Sequence, residues 1–117
     1  MTTDWRKDYS LADETDLEHA DRVASAEHKA NEYFAAATAP QFQLWRDTIS
    51  VIEPYRGSPR WARLRDQAKA TFEKTTREAH ELYEFTAEEI MRDGEVSEAT
   101  SARWDALTAS QIAQVAA

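Results

Sequence analysis

Three histidines, His19, His28 and His80, are the side chains of this sequence best suited to titrate near neutrality. Each has a carboxylate three or four positions away: Asp16 before His19, Glu32 after His28 and Glu84 after His80. On a helix that spacing puts two metal ligands on one face. A carboxylate-bridged di-iron bundle asks for two Glu-x-x-His motifs and inward-facing Glu on two further helices, and the chain contains no such motif. Where Glu and His are adjacent, at Glu18-His19 and Glu27-His28, helical geometry turns the two side chains about 100° apart. A metal- or ligand-binding bundle using these histidines is therefore the weakest functional reading, and neither a metal site nor a cofactor is expected.

Other chemistry finds still less to work with. Cysteine is absent, which removes disulfides, thiolate metal sites and cysteine nucleophiles. Ser and Thr fall mostly at cap-like positions with no Gly-x-Ser-x-Gly among them, and two glycines in total cannot build a phosphate-cradling loop or a dinucleotide fingerprint. Paired carboxylates such as Glu88-Glu89 do acid–base work only in a desolvated cleft. No catalytic residue is assigned, and an enzyme acting alone is not the expectation.

Aromatic side chains are the remaining resource. Trp45, Trp61, Trp104, Phe34, Phe42, Phe72 and Phe85 fall on apolar stripes and read as core. Trp5 and Tyr9 sit among charges in a stretch without sustained period. Because Trp and Tyr bury much area at small entropic cost, these two are the first candidates for a partner anchor. Glu81, Glu84 and Glu88 form a second candidate surface, a row of carboxylates.

The elements that must carry these residues are all helical, with no strand signal or internal repeat. Residues 1–12 read as an N-terminal arm, flexible or docked on a partner, ahead of a single helical domain over 13–117. Thr15-Asp16-Leu17-Glu18 matches a capping box, followed by a stripe of mostly small residues at Leu17, Ala20, Val23, Ala24, Asn31, Phe34 and Ala35. Pro40 is expected to end that helix and open a short one carrying Phe42, Leu44, Trp45, Ile49 and Ile52. Ser58-Pro59 then supplies an N-cap and first-turn proline. No breaker follows before Gly94, so one long helix is predicted over about 59–92, about 50 Å at 1.5 Å per residue. A last helix begins at Ser97 and carries Trp104, Leu107, Ile112 and Val115. The fold class is all-α, an elongated helical hairpin or irregular four-helix bundle with one long helix.

Charge is uneven along that long helix. Arg56 to Arg77 holds seven basic residues and two acids, whereas Glu78 to Glu98 holds eight acids and one arginine. A basic first half and acidic second half oppose the helix dipole, so compensation is expected from the acidic start of the first helix or from a second copy. The overall charge of −8 argues against nucleic acid as a partner. The opening residues lack the basic-then-apolar order of a signal peptide and no apolar run approaches a bilayer span of about 20 residues; the expectation is a protein that is cytoplasmic, or within an intracellularly assembled particle, without a membrane partner. Ala accounts for 21 residues, but Val, Ile, Leu and Phe together for only 18 of 117, too few to seal a long rod. The preferred reading is a non-catalytic helical interaction subunit that self-associates or docks into a larger assembly, such as a multisubunit enzyme or a viral particle. The second is an acidic inhibitor or regulator whose carboxylates occupy a basic site on another protein.

Overall fold

A computed structural model describes residues 4–116. The chain is all-α: a one-turn helix α1 (Trp5–Asp8), two long helices α2 (Asp16–Ile52) and α3 (Pro59–Asp93), and a shorter α4 (Glu98–Ala116). A single 3₁₀ turn, Glu53–Tyr55, closes the hairpin between α2 and α3. Residues 1–3 of the expected arm lie outside the described residues.

All four helix starts carry a side-chain cap: Asp4 Oδ1 accepts from the Arg6 amide at 3.1 Å at α1, and the other three are the caps read in the sequence. Thr15 Oγ1 accepts from the Glu18 amide at 3.1 Å and donates to the Glu18 carboxylate at 3.0 Å. Ser58 Oγ accepts from the Trp61 amide at 3.1 Å, with Pro59 in the first turn where its missing N–H leaves nothing unpaired. Ser97 Oγ takes the Thr100 amide at 3.2 Å. Gly94 ends α3 at φ 82°, a left-handed conformation that costs glycine nothing, and its N–H reaches Ile90 O at 2.8 Å.

Pro40 does not break the chain. It lies inside α2, which runs 37 residues without interruption. The forfeited helical hydrogen bond is offset by packing on both sides of it: Ala37 is fully buried against α3 and α4, and Gln41, one residue beyond the proline, is buried and donates to Gln114 on α4 at 3.2 Å. Keeping both on one face requires the helix to continue.

The phase of the α2 stripe also differs from the expectation. Leu17 is 72% exposed, and Ala20, Ala24, Asn31 and Ala35 face outward. The buried positions are Ala26, Ala30, Ala37, Thr38, Gln41 and Ile52, of which the first three pack with Ala79, Ala87 and Ile90 across an antiparallel pair. Small side chains on both helices let the backbones approach. On α3 the inward position is Thr86 rather than Phe85, and on α4 it is Gln111 rather than Ile112.

Two buried clusters hold this together, both at the end of the hairpin remote from the 3₁₀ turn. One joins Trp5 to Ala26, Ala30, Ala87, Ile90 and Met91; the other joins Ala37, Ala79 and Leu82 to Trp104 and Leu107 of α4. Trp104 Nε1 donates to Thr86 Oγ1 at 2.8 Å, so the largest buried ring leaves no orphan donor. The α3–α4 corner is locked by the buried Glu89 carboxylate, which accepts from the Ser97 amide at 2.7 Å, from Ser97 Oγ and from Thr100 Oγ1.

The result is a rod of 59 × 29 × 25 Å with a radius of gyration of 18.1 Å, against about 13 Å for a compact domain of this length.

Candidate interaction surface

The five sequence-predicted partner residues fall into one group of four and one outlier. Trp5 is 4% exposed, its ring buried between α2 and α3 of its own chain, and its Nε1 donates to Glu84 at 2.8 Å. Tyr9 is half-buried and donates to Glu88 at 3.0 Å. Glu84 and Glu88, one turn apart on α3, are thus the docking posts of the arm. Glu81 is exposed and makes no side-chain hydrogen bond or ion pair among the described residues.

Two arginines that composition alone did not single out fasten this arm. Arg6 stacks over the Trp5 ring at 4.2 Å and bonds Glu27 at 2.8 Å and Glu84 at 3.5 Å. Partial burial pushes the Glu84 carboxyl up, but the Trp5 indole and the Arg6 guanidinium outweigh it and hold the group below its usual range. Arg22 bonds Tyr9 O at 3.1 Å, Glu14 at 2.7 Å and Met91 O at 3.1 Å, tying the arm, the α2 start and the α3 end together. These cations also answer the charge question. The acidic start of α2 lies beside the acidic end of α3, not beside its basic half, and Arg6 and Arg22 bridge the two.

Of the histidines, His19 is the structural one. Its Nε2 faces the Arg6 carbonyl and its Nδ1 faces Glu14 at 3.0 Å. The carbonyl and the carboxylate both favour the protonated ring, and its pKa is raised. Glu14 is pulled down to about 2, chiefly by the Arg22 hydrogen bond, against burial, with the Leu11 amide and His19 assisting. His28 is exposed and sits 3.4 Å from Glu32; His80 stacks on Tyr83 at the surface. Among the described residues no three His, Asp or Glu side chains are grouped to hold a metal.

The second surface lies at the opposite end of the rod, where no third helix among the described residues covers the hairpin. α4 follows the groove between α2 and α3 as far as Gln111, which donates to Thr75 O at 2.7 Å, and Gln114, bonded to Gln41. Beyond those contacts the groove is open. Its floor and walls are Leu44, Trp45, Ile52, Leu64, Ala68 and Phe72. Phe72 meets Phe42 and Trp45 at centroid distances of 6.2 and 6.0 Å, but Phe42 stays 50% exposed and Leu44 40%. On the reverse face Trp45 and Trp61 border a second depression, with Arg65 stacked on Trp61 at 4.6 Å. Trp61 Nε1 is buried and has no hydrogen-bond partner among the described residues.

Between Pro40 and Lys74 seven basic residues face four acids, so this tip carries +3 in a chain of −8. Among the described residues, Arg60, Arg63, Lys69 and Lys74 make no ion pair; Arg60 instead lies over the Tyr55 ring at 5.6 Å. Sequence reading placed the tip aromatics on core stripes, and the tip as a surface was missed because a stripe tells which face is apolar, not whether anything covers it.

The site is therefore that of an all-α hairpin protein with a basic, aromatic, uncovered tip. Compared with known protein families, curated proteins and solved structures, the chain matches none. No helix among the described residues is long and apolar enough to cross a membrane.

Proposed function

We propose that this protein is a non-catalytic helical interaction subunit, and that it docks into a larger assembly through the uncovered tip of the α2–α3 hairpin. One observation carries the reading: both buried clusters lie at the α1/α4 end, while at the tip Ile52 is buried outside either cluster and Phe42, Leu44, Val51 and Tyr55 stay 40–72% exposed, as Leu11, Leu17, Phe85 and Ile112 do singly on the body. Two helices side by side bury only the seam between them. A third or fourth must cover what remains.

Surface area supports the same reading. The chain exposes 8091 Å², whereas a compact monomer of 13.4 kDa exposes about 6500 Å². The excess, about 1600 Å², is about twice the ~800 Å² that one partner contributes to a standard protein–protein interface, so an elongated shape of this size leaves ample area for one. Apolar patches that are contiguous and rimmed by charge mark binding surfaces on soluble proteins. The reading in which the acidic row acts as an inhibitor is less well supported, because Glu84 and Glu88 already serve the arm.

Hydrogen exchange tests this by comparing the isolated protein with the form purified gently from its native source. We expect amides of residues 41–75 to exchange fast in the isolated chain and to be strongly protected in the native complex. Recovery of the native protein as a free monomer with unchanged tip exchange sinks the reading.

A further inference from the structure

We propose that the open groove of the tip receives an acidic amphipathic helix from a partner protein, laid end to end with α4. The inference rests on the interaction-subunit reading and names the chemistry of the partner.

The shape follows from continuity with an occupied groove. On α2 the positions that receive α4 are Tyr33, Ala37 and Gln41, and the same three-and-four spacing continues through Leu44, Thr48 and Ile52. On α3, Leu82, Ala79 and Thr75 continue through Phe72, Ala68 and Leu64. The two seats form one groove, half filled. From Gln41 to Ile52 the unfilled half measures about 17 Å, about three turns of helix. Its floor at Ala68, Thr48 and Thr71 is low, as it is at Ala37 and Ala79 where α4 sits, so a helical backbone can approach closely. Helix-in-groove docking is an established mode of recognition for such a surface.

The charge follows from the rim. Arg60, Arg63, Gln67 and Lys74 recur at three-and-four spacing or its multiples along one exposed edge of α3, beside groove residues Leu64 and Thr71. Arg63 and Lys74 have no acidic neighbour within ion-pair distance among the described residues. An occupant with carboxylates on its outer face would meet these cations, which fixes orientation and hastens encounter more than it adds affinity. A second copy fits less well. Its tip carries the same basic edge, and its acidic stretch of α3 has buried Leu82, Thr86 and Ile90, holds its exposed ring Phe85 under Arg103 at 5.0 Å, and has spent Glu84, Glu88 and Glu89 on internal hydrogen bonds.

The test uses the full chain and two fluorescein-labelled helical peptides of about 18 residues, both with Leu at heptad a and d positions, one Glu-rich and one Lys-rich elsewhere. Fluorescence anisotropy should show saturable binding of the Glu-rich peptide, weakened by salt, and binding of the Lys-rich peptide weaker by about tenfold or more. Leu44→Glu should abolish binding, and the exposed pair Arg63→Glu with Lys74→Glu should reverse the preference between the peptides; Leu17→Glu, remote from the groove, should change nothing. Circular dichroism melting confirms that each variant is folded, and the charge-reversal pair, being wholly on the surface, keeps the test independent of the groove wall. Equal binding of both peptides, or binding indifferent to Leu44→Glu, overturns the proposal. A dimer in sedimentation equilibrium that Leu44→Glu dissociates and the Glu-rich peptide fails to displace overturns the acidic helix as occupant while leaving the interaction reading intact. Slow exchange at the tip of the isolated monomer sinks both.

Discussion

At the scale of single residues, the N-terminal arm shows how a short polar segment is held without a large apolar area. Trp5 supplies the buried ring, and Arg6, His19 and Arg22 supply directed bonds to carboxylates and carbonyls around it. Two of these groups titrate in opposite senses. Glu14, held at about 2 against an ordinary 4.5, contributes stability that is complete above about pH 4.5 and lost as pH falls toward 2. His19, raised above 6.5, contributes stability that is complete below about pH 6.5 and lost as pH rises through its folded value. Arm docking should therefore be strongest between about pH 4.5 and 6.5. Exchange of the Trp5 indole N–H, followed by NMR across pH, reads the docked fraction directly. We expect protection to fall on both sides of that window, and His19→Gln to flatten the alkaline limb alone. An alkaline limb that survives His19→Gln unchanged rules His19 out as its cause.

At the scale of elements, most helix ends were legible because they rest on local chemistry: Thr15, Ser58, Ser97 and Gly94 each act within four residues of their own position. Pro40 was not. A proline costs an interior helix about 3 kcal/mol, and local rules therefore place a break there; what reverses the outcome is burial of Ala37 and Gln41 by α3 and α4, partners that lie 42 (Ala37 to Ala79) to 73 (Gln41 to Gln114) positions away. The same distance dependence hid the phase of the α2 stripe, since alanine carries too little apolar weight to say which face it occupies. Pro40→Ala restores the hydrogen bond to Ala36 O without touching the packed face. It should stabilise the protein by about 1–3 kcal/mol, read as a raised urea midpoint at constant slope. A variant less stable than the native chain shows that the local geometry of the proline is needed to seat α4.

At the scale of the whole molecule, the two buried clusters lie toward one end of the rod and neither reaches the tip, and the four tryptophans are divided between the two ends. Trp5 and Trp104 are buried, at 4% and 2% exposure, in the two clusters of the body, whereas Trp45 and Trp61 are half-buried at the tip beside Phe72 and Arg65. Local stability tracks buried apolar contact, and helix pairs lacking a third layer open at free energies below the global value. The tip should therefore melt first. Single-tryptophan variants, the other three replaced by Phe, separate the two ends in urea: emission from Trp45 or Trp61 should shift at lower denaturant than emission from Trp104. Binding at the tip would raise that first midpoint by mass action and leave the second nearly unmoved, so the gap between the two transitions measures how much of the fold an occupant of the groove completes. Coincident transitions for Trp45 and Trp104 in the isolated chain would mean that the hairpin is cooperative along its full 59 Å, and that the seam of α2 and α3 holds the tip closed without a third helix.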